Sequence, residues 1–567
     1  MTPERRAPLV LLPPLLLAVA CQPPAPTPEG DSSGGAESGG DDGGDVRSCG
    51  DDPLPPVAGD TCEVTPGNGG GVRLRGTVLD ATGILRAGEV VFDDTGHITC
   101  VDCDCSQAPG AADATVVSCG QAVISPALIN PHDHITYANN APIGQGPDRY
   151  DHRHQWRKGQ DGHVELDVNN NASRDEVLAA ELRFVMGGAT AAASAGGETG
   201  LLRNLDTGGK LQGLPAAVAD SDTFPLDDSS GEQRTEGCDY GSSPTTAASI
   251  QGHAYLPHVA EGINAAAHNE FVCVSDTGPQ DLIGPRTALV HGIALEPADV
   301  ATMQAASAML VWSPRSNVVL YGNTAPVTMM DAMGLPIALG TDWVASGSMN
   351  LLRELACADA LDRDAFGDHF SDRALWQMVT ANAARATGTS AVLGTLAPGY
   401  FADIAVFRSR DGATDHRAVI DAGSDDVLLV LRAGEPLYGD AAVLAGLGAQ
   451  DCETLDVCGT DKRACVARDT GGSSTLAGVR AAIEAYYPLF FCGDPDDEPS
   501  CMPYRPGAYA GAKADDADGD GLDDATDDCP TVFNPIRGFE VGQGDADGDG
   551  AGDACDRCPL DADDACP

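Results

Sequence analysis

The sequence predicts an α/β fold: a parallel sheet or barrel, preceded by a small β domain and followed by an irregular acidic tail. Three observations carry this. From Ala122 onward, short apolar runs alternate with Ala-rich helical segments, the pattern of parallel strands joined by crossover helices. Ahead of them, Val72 to Val101 alternates apolar and polar residues between Gly and Asp turns. The charge is also uneven: 33 Lys plus Arg against 85 Asp plus Glu give −52 over 567 residues, with both ends acidic. Such a balance excludes a nucleic-acid binder working through a basic field and opposes electrostatic adhesion to anionic lipid.

Residues 1–21 carry Arg5 and Arg6, an apolar run from Leu9 to Ala20, and then Cys21. Basic, apolar and small residues in that order make an export signal, and the run is too short to span a bilayer. A Cys directly after small residues resembles a bacterial lipobox. That resemblance implies a diacylated Cys21, a lipid anchor and a place in the bacterial cell envelope; the alternative is an ordinary cleaved signal with a chance Cys. Residues 22–71 hold ten acids against Arg47 alone and read as a disordered acidic tether.

Three runs, VRLRGTVLD, AGEVVFDD and HITCVD, make the first β region, 72–127. AVISPALIN then reads as a buried strand. RDEVLAAELRFVMGG is helical and stops at Gly187-Gly188, a C-cap signal. AYLPHVAEG, TALVHGIAL, AMLVWSPRS and PIALGTDW are further strands, with EPADVATMQAA and APVTMMDAMG as helices between them. Ser371 to Thr387 reads as one helix. LAPGYFADIAVF and DVLLVLRAGEPLYGD return to β character across 388–440, and 441–512 is Cys-rich with a helix at LAGVRAAIEAYY.

The strand ends carry the chemistry. The first gives His132-Asp133-His134, the next His258 and Glu261, then His291, then Asp342. Residues i and i+2 of a strand share a face, so both imidazoles of His132 and His134 can reach one ion. Imidazoles and a carboxylate from separate strand ends form an open N/O metal site. A lone histidine in any of these places would be an ordinary rim or core residue; the ordered set is not.

These stretches, SPALINPHDHITY, PHVAEG, VHGIAL, SPRSNVVLYGNTAPV and IALGTDWVASGSMNLLREL, resemble the metal-dependent amidohydrolase superfamily, and the H-x-x-E spacing resembles its cytosine deaminase and chlorohydrolase branch. The resemblance runs from about Val72 to Asp440. It implies a (β/α)8 barrel over 128–387 and a β-sandwich built from 72–127 and 388–440. It also implies one divalent transition metal, zinc or iron, on His132, His134, His258 and Asp342. Glu261 would shuttle protons, His291 would orient the water or substrate carbonyl, and Asp342 would accept a proton from the attacking water. Ala127 and Asn130 depart from the family's usual Gly and Asp, and Asp133 is an unusual acid between the paired histidines. Between Ala189 and Pro257 the one Lys is Lys210, which argues against a bridging carbamylated lysine and a second metal.

The loop DRYDHRHQWRKGQDGH offers His152, Arg153, His154 and Arg157 to an anionic substrate group, or to local ion pairs. Arg315 and Asn317 either touch substrate or brace the turn after the seventh strand, and Ser346 and Ser348 are equally open. Of 19 cysteines, 18 remain beside Cys21, an even number suited to disulfides in an exported protein. Zinc at Cys100, Cys103, Cys105 and Cys119 is the alternative that spacing alone allows.

In the tail, 513–567, Asp516, Asp518, Asp520, Asp524 and Asp527 recur as Asp545, Asp547, Asp549, Asp553 and Asp556, with Gly521 and Gly550 at the sixth position. This is the arrangement of a calcium loop. The tail resembles thrombospondin type-three repeats, which implies bound calcium, candidate pairs Cys529–Cys555 and Cys558–Cys566, and a surface for partners. The expected protein is an envelope-anchored hydrolase of a non-peptide C–N bond in a small molecule. The rivals are a cyclic amide or imidazolone hydrolase and a catalytically inactive calcium-binding surface protein.

Overall fold

The computed structural model describes residues 45–50, 52–55, 62–144, 146, 148–214, 218–276, 278–410 and 413–566. The export signal, Cys21 and the tether up to residue 44 lie outside them.

Eight parallel strands form the centre: β1 Leu128–Asn130, β2 Ala189–Ala192, β3 Arg203–Asn204, β4 Ala219–Asp222, β5 Ala254–Val259, β6 Ala288–His291, β7 Met309–Trp312 and β8 Ile337–Leu339. They fall into two sheets, β1-β2-β3 and β4-β5-β6-β7-β8. The strands of the expected barrel are present in order and parallel, laddered as two sheets among the described residues, with a parallel bridge between Asp133 and Asp342 where β1 and β8 end. The reason for two ladders is local. Strand β3 is two residues long, and the Gly-rich stretch after it loops away before β4. Val218 and Ala219 donate N–H to the Leu205 carbonyl across this gap. At the other edge, Asp342 N–H bonds the His132 carbonyl at 3.0 Å. Strands β5 to β8 are buried throughout, as expected of strands covered on both faces.

The crossover helices start where the sequence caps them. Helix Arg174–Met186 opens on a reciprocal Ser173/Glu176 capping box. Pro297–Ala305 and Pro314–Tyr321 each begin on proline, whose missing N–H costs nothing there. The single helix expected over Ser371 to Thr387 is two, Asp372–Met378 and Ala381–Ala386; Thr380 between them leaves the helical region.

The expected sandwich is one 11-stranded mixed sheet. Its central neighbours Thr115–Pro126 and Ile404–Arg408 come from before and after the parallel strands, antiparallel to each other. The sheet outgrows the expected boundaries at both ends. Asp45–Ser48 and Glu63–Thr65, read as tether, are strands pinned by the disulfides Cys49–Cys103 and Cys62–Cys119. Glu453–Val457 and Thr460–Ala464 of the Cys-rich region extend the far edge. Cys100 pairs with Cys105, so zinc at these cysteines is excluded. Nine disulfides occur among the described residues, including Cys529–Cys555 and Cys558–Cys566. No helix among the described residues is long and apolar enough to cross a membrane.

Candidate metal centre

His132 and His134 follow β1, His258 lies on β5, His291 ends β6 and Asp342 follows β8. The fold brings them together. The Nε2 atoms of His132, His134 and His258 lie 3.1–3.4 Å from one another. Asp342 Oδ1 is 3.5 Å from His132 Nε2 and 3.6 Å from His134 Nε2. Tetrahedral ligands at about 2.0–2.1 Å from zinc sit about 3.3–3.4 Å apart, so the spacing fits one ion.

The proton inventory points the same way. His258 Nδ1 faces the Asp222 carbonyl at 3.3 Å, and a carbonyl only accepts, so Nδ1 carries the proton and Nε2 is bare. Burial presses His132 and His258 well below the usual histidine range and His134 down to about 4. Neutral rings with lone pairs converging on one point repel unless a cation separates them. Burial, then the nearby Glu261, push Asp342 well above the carboxylate range; a cation between the ligands would reverse that.

Backbone strain and close packing set the geometry. His291 and Asp342 are non-glycine residues with φ of 73° and 62°, a conformation costing of order 1–3 kcal/mol each and found where structure over-determines a site. Gly340 lets β8 approach β1: a Cβ there would lie 2.7 Å from His132 Cβ. Asn130, where the family has Asp, clips the same two strands. Its amide donates to Thr341 Oγ1 at 2.6 Å, and its carbonyl accepts from Thr341 N at 3.2 Å. Asp133 is buried, accepts from Thr341 Oγ1 at 2.8 Å and points away from the ligand group. Lys210 donates to the Gly197 carbonyl at 2.6 Å.

Glu261 faces His291 across 3.7 Å. Burial raises its carboxyl, but His291 and then Arg153 outweigh this and hold it below the usual range. Three supports went unread in the sequence. Tyr321 donates its hydroxyl to Glu261 at 2.7 Å and accepts from Trp156 Nε1 at 2.9 Å. Ser313 Oγ lies 3.0 Å from His132 Nδ1. Ser316 donates to Asp342 and contacts Ser346 Oγ at 2.7 Å. All three belong to the stretch after β7, whose helical phase no motif reveals.

Of the two readings the basic loop allowed, Arg153 and His154 form the local ion pairs. Arg153 and His154 are fully buried: Arg153 pairs with Asp228 at 2.5 Å and Glu270 at 3.1 Å, and His154 with Asp228 at 2.9 Å. His152 faces Glu270 at 3.3 Å. Arg157 is half-buried, with its guanidinium 4.2 Å above the Phe224 ring. Arg315 is likewise a brace, donating to Ser348 Oγ at 2.6 Å and to the Arg353 carbonyl at 2.9 Å. Asn317 braces the stretch after β7, its amide donating to Thr324 Oγ1 at 3.4 Å, while its Oδ1 lies 3.0 Å from His291 Nδ1 and orients that ring.

The two aspartate loops repeat in space as in sequence. In the first, Gly519 N and Gly521 N donate to the two oxygens of Asp516, and Ala517 N to Asp524. In the second, Gly548, Gly550 and Ala546 do the same to Asp545 and Asp553. Asp527 and Asp556 turn instead to the backbone N–H groups of Cys529 and Cys558, at 2.8 and 2.7 Å.

Comparison with known proteins adds partial matches. Residues 246–437 match the amidohydrolase family model. A 5-methylthioadenosine/S-adenosylhomocysteine deaminase of Teredinibacter turnerae is 32% identical over 133 residues, 23% of this chain and 30% of that protein. An 8-oxoguanine deaminase of Pseudomonas aeruginosa is 34% identical over 128 residues, 22% and 28% respectively. The chain thus spans about a third of the length of the curated relatives it matches. An adenosine deaminase structure from Xanthomonas campestris with bound zinc aligns with 67% of this chain and 97% of that one, at 16% identity and a TM-score of 0.45. At that score the likeness supports no inference about the reaction. Strands β5 to β8, with His258, Glu261, His291 and Asp342, fall inside the segment 246–437 that matches the family model.

Proposed function

We propose that the protein is a metal-dependent hydrolase of a non-peptide carbon–nitrogen bond in a small molecule, of the deaminase type. The carrying observation is the convergence of three imidazole Nε2 atoms and one buried carboxylate beside a second, hydrogen-bonded carboxylate. His132, His134, His258 and Asp342 would hold one zinc or iron ion, which when bound lowers the pKa of a water to about 7.

The protein's own groups supply the rest. Glu261 is ionised, aimed by the Tyr321 hydroxyl, and lies 3.7 Å from His291. It takes a proton from the attacking water and gives it to the leaving nitrogen. His291, turned by Asn317, donates toward the substrate atom that gains negative charge. Asp342 is the second proton acceptor, steadied by Ser316.

The remaining expectations extend this reading. Calcium in the loops 516–527 and 545–556 is supported by their repeated geometry. A lipid anchor at Cys21 and an envelope location rest on the sequence, as does a partner surface on the repeats. The test is Glu261→Gln in purified full-length protein. Elemental analysis should find one transition metal per chain in both forms. A hydrolysis screen over amines, ureides and cyclic amides should find a substrate on which the variant is slower by on the order of 10²–10⁴-fold. Equal turnover would remove Glu261 from the mechanism, and two stoichiometric transition metals would overturn the single-ion centre.

A further inference from the structure

The segment from Tyr504 into the acidic tail packs against the rest of the protein. It lies across the loops that leave the catalytic strand ends. Gly538 N–H bonds the Ile263 carbonyl, two residues past Glu261, at 3.0 Å. Arg537 donates to the carbonyls of Ile293 and Leu295, just past His291, at 3.1 and 2.8 Å. Arg505 donates to the carbonyls of Tyr321 and Tyr150, at 2.7 and 3.1 Å, and pairs with Asp151 at 2.6 Å. The approach is close enough to demand glycine: a Cβ on Gly322, already at φ 68°, would lie 2.3 Å from the Tyr504 carbonyl oxygen. Tyr321 is the residue whose hydroxyl holds Glu261.

Arg505 is in turn seated on the first aspartate loop. Its backbone pairs with Tyr509 in both directions, at 3.0 and 3.1 Å, and the Tyr509 ring packs edge-on against Phe533. The two loop glycines touch that turn: Cβ atoms on Gly519 and Gly521 would lie 2.5 Å from Ala512 N and 2.6 Å from the Ala508 carbonyl oxygen. Asp516, Asp518 and Asp520 are all buried, with one oxygen of each within 4.8 Å of the others. Asp518 is 4% exposed, and its Oδ2 has no hydrogen-bond partner. Lys513 reaches Asp516 Oδ2 at 3.3 Å, but three buried carboxylates with an orphaned oxygen need further protons or a cation to neutralise them, and an all-oxygen set on a contiguous loop suits calcium. The second loop is more open, with Asp549 exposed.

We propose that calcium in the first loop fixes the catalytic face, acting through the 508–512 turn, the Arg505 clamp and Tyr321 as a positioning residue for Glu261. Without calcium, carboxylate repulsion loosens the turn that seats Arg505, and Tyr321 loses the clamp on its carbonyl. The disulfide Cys357–Cys501 keeps the segment attached in both states, so the change is a local loosening. The inference rests on the reading of 516–527 as a calcium loop and of Glu261 as the proton shuttle.

The test uses full-length protein stripped of metal, reloaded with zinc, and titrated with calcium chloride, with magnesium chloride as control. Calorimetry reads calcium binding. Hydrogen exchange reads residues 314–325, and transfer of zinc to a chromophoric chelator reads access to the centre. Calcium should slow exchange over 314–325 and zinc transfer by about tenfold, within the 5–150-fold range usual for coupled sites. Asp518→Asn should weaken calcium binding and lose the effect. Arg505→Ala should bind calcium as tightly as the parent yet show no effect on 314–325. If that variant does not fold, Arg505→Lys, which keeps the charge but replaces the two-nitrogen fork with a single ammonium, reads the same link. Calcium binding without slower exchange, or a full effect in the Arg505 variant, overturns the proposal while leaving the calcium loop standing. Absence of calcium binding overturns both.

Discussion

The candidate metal centre and the aspartate loops are built in opposite ways. The centre draws its ligands from the ends of β1, β5 and β8, spread over more than two hundred residues of sequence, and buries them as neutral imidazoles around one carboxylate. Each aspartate loop draws its oxygens from twelve consecutive residues and hangs them on its own backbone amides. In the first case the packed core carries the ligands into place before any ion arrives. In the second, five carboxylates crowd one short loop and repel one another when ionised. The comparison teaches that a site's dependence on its ion follows from where its ligands come from.

Three measurements probe that contrast. The largest effect is expected from His258→Ala, which should lose stoichiometric transition metal and all hydrolysis while leaving thermal unfolding of the core cooperative. If the core unfolds instead, the centre is not preorganised. Ser313→Ala should act next most strongly. It removes the partner of His132 Nδ1, and the loss of such a support costs about 10–100-fold in metal affinity. Competition with a zinc buffer measures it, and unchanged affinity would show that packing alone orients the ring.

The smallest effect is a pH dependence confined to the tail. Burial, then neighbouring carboxylates, push Asp518 up to about 7. Burial likewise pushes Asp520 up to about 6. Both start from 3.8 in the unfolded chain, so the folded loop binds more protons. Its stability is fully present below that value and is lost as pH rises through about 7. In calcium-free buffer the urea midpoint of the tail should therefore fall between pH 4 and pH 7.5. Saturating calcium should abolish the trend, stabilising the loop by about 2.7 kcal/mol at a hundredfold excess over Kd. A midpoint that rises with pH without calcium would mean the carboxylates are not crowded.

The sequence was most legible where chemistry is local or is repeated along the chain. Asp516 to Asp527 announces itself by spacing. The order His132, His134, His258, His291, Asp342 announces itself because each residue closes an apolar run. Arg153 and His154 misled because a basic loop looks alike whether it faces solvent or Asp228 and Glu270, which lie more than seventy residues away. Tyr321 was silent because its reach to Glu261 depends on where the helix Pro314–Tyr321 stops, at a glycine that the tail itself requires. The tether was read too long because strands of three and four residues at Glu63 and Asp45 are held by disulfides and by partners far along the chain, not by their own pattern.

By itself, then, the amino-acid order determined the strand and helix alternation, the identity of the convergent ligands and the aspartate repeat. Periodicity, capping and ligand chemistry act over a few residues and need no knowledge of neighbours. Only the tertiary structure decided that the parallel strands ladder as two sheets, that Arg153, His154 and Arg315 are buried among ion pairs and hydrogen bonds, and that the segment from Arg505 into the acidic tail lies on the stretches after β6 and β7. Those outcomes depend on contacts between segments hundreds of residues apart. The guanidinium of Arg505 meets the Tyr321 carbonyl only because the whole chain between them has folded back on itself.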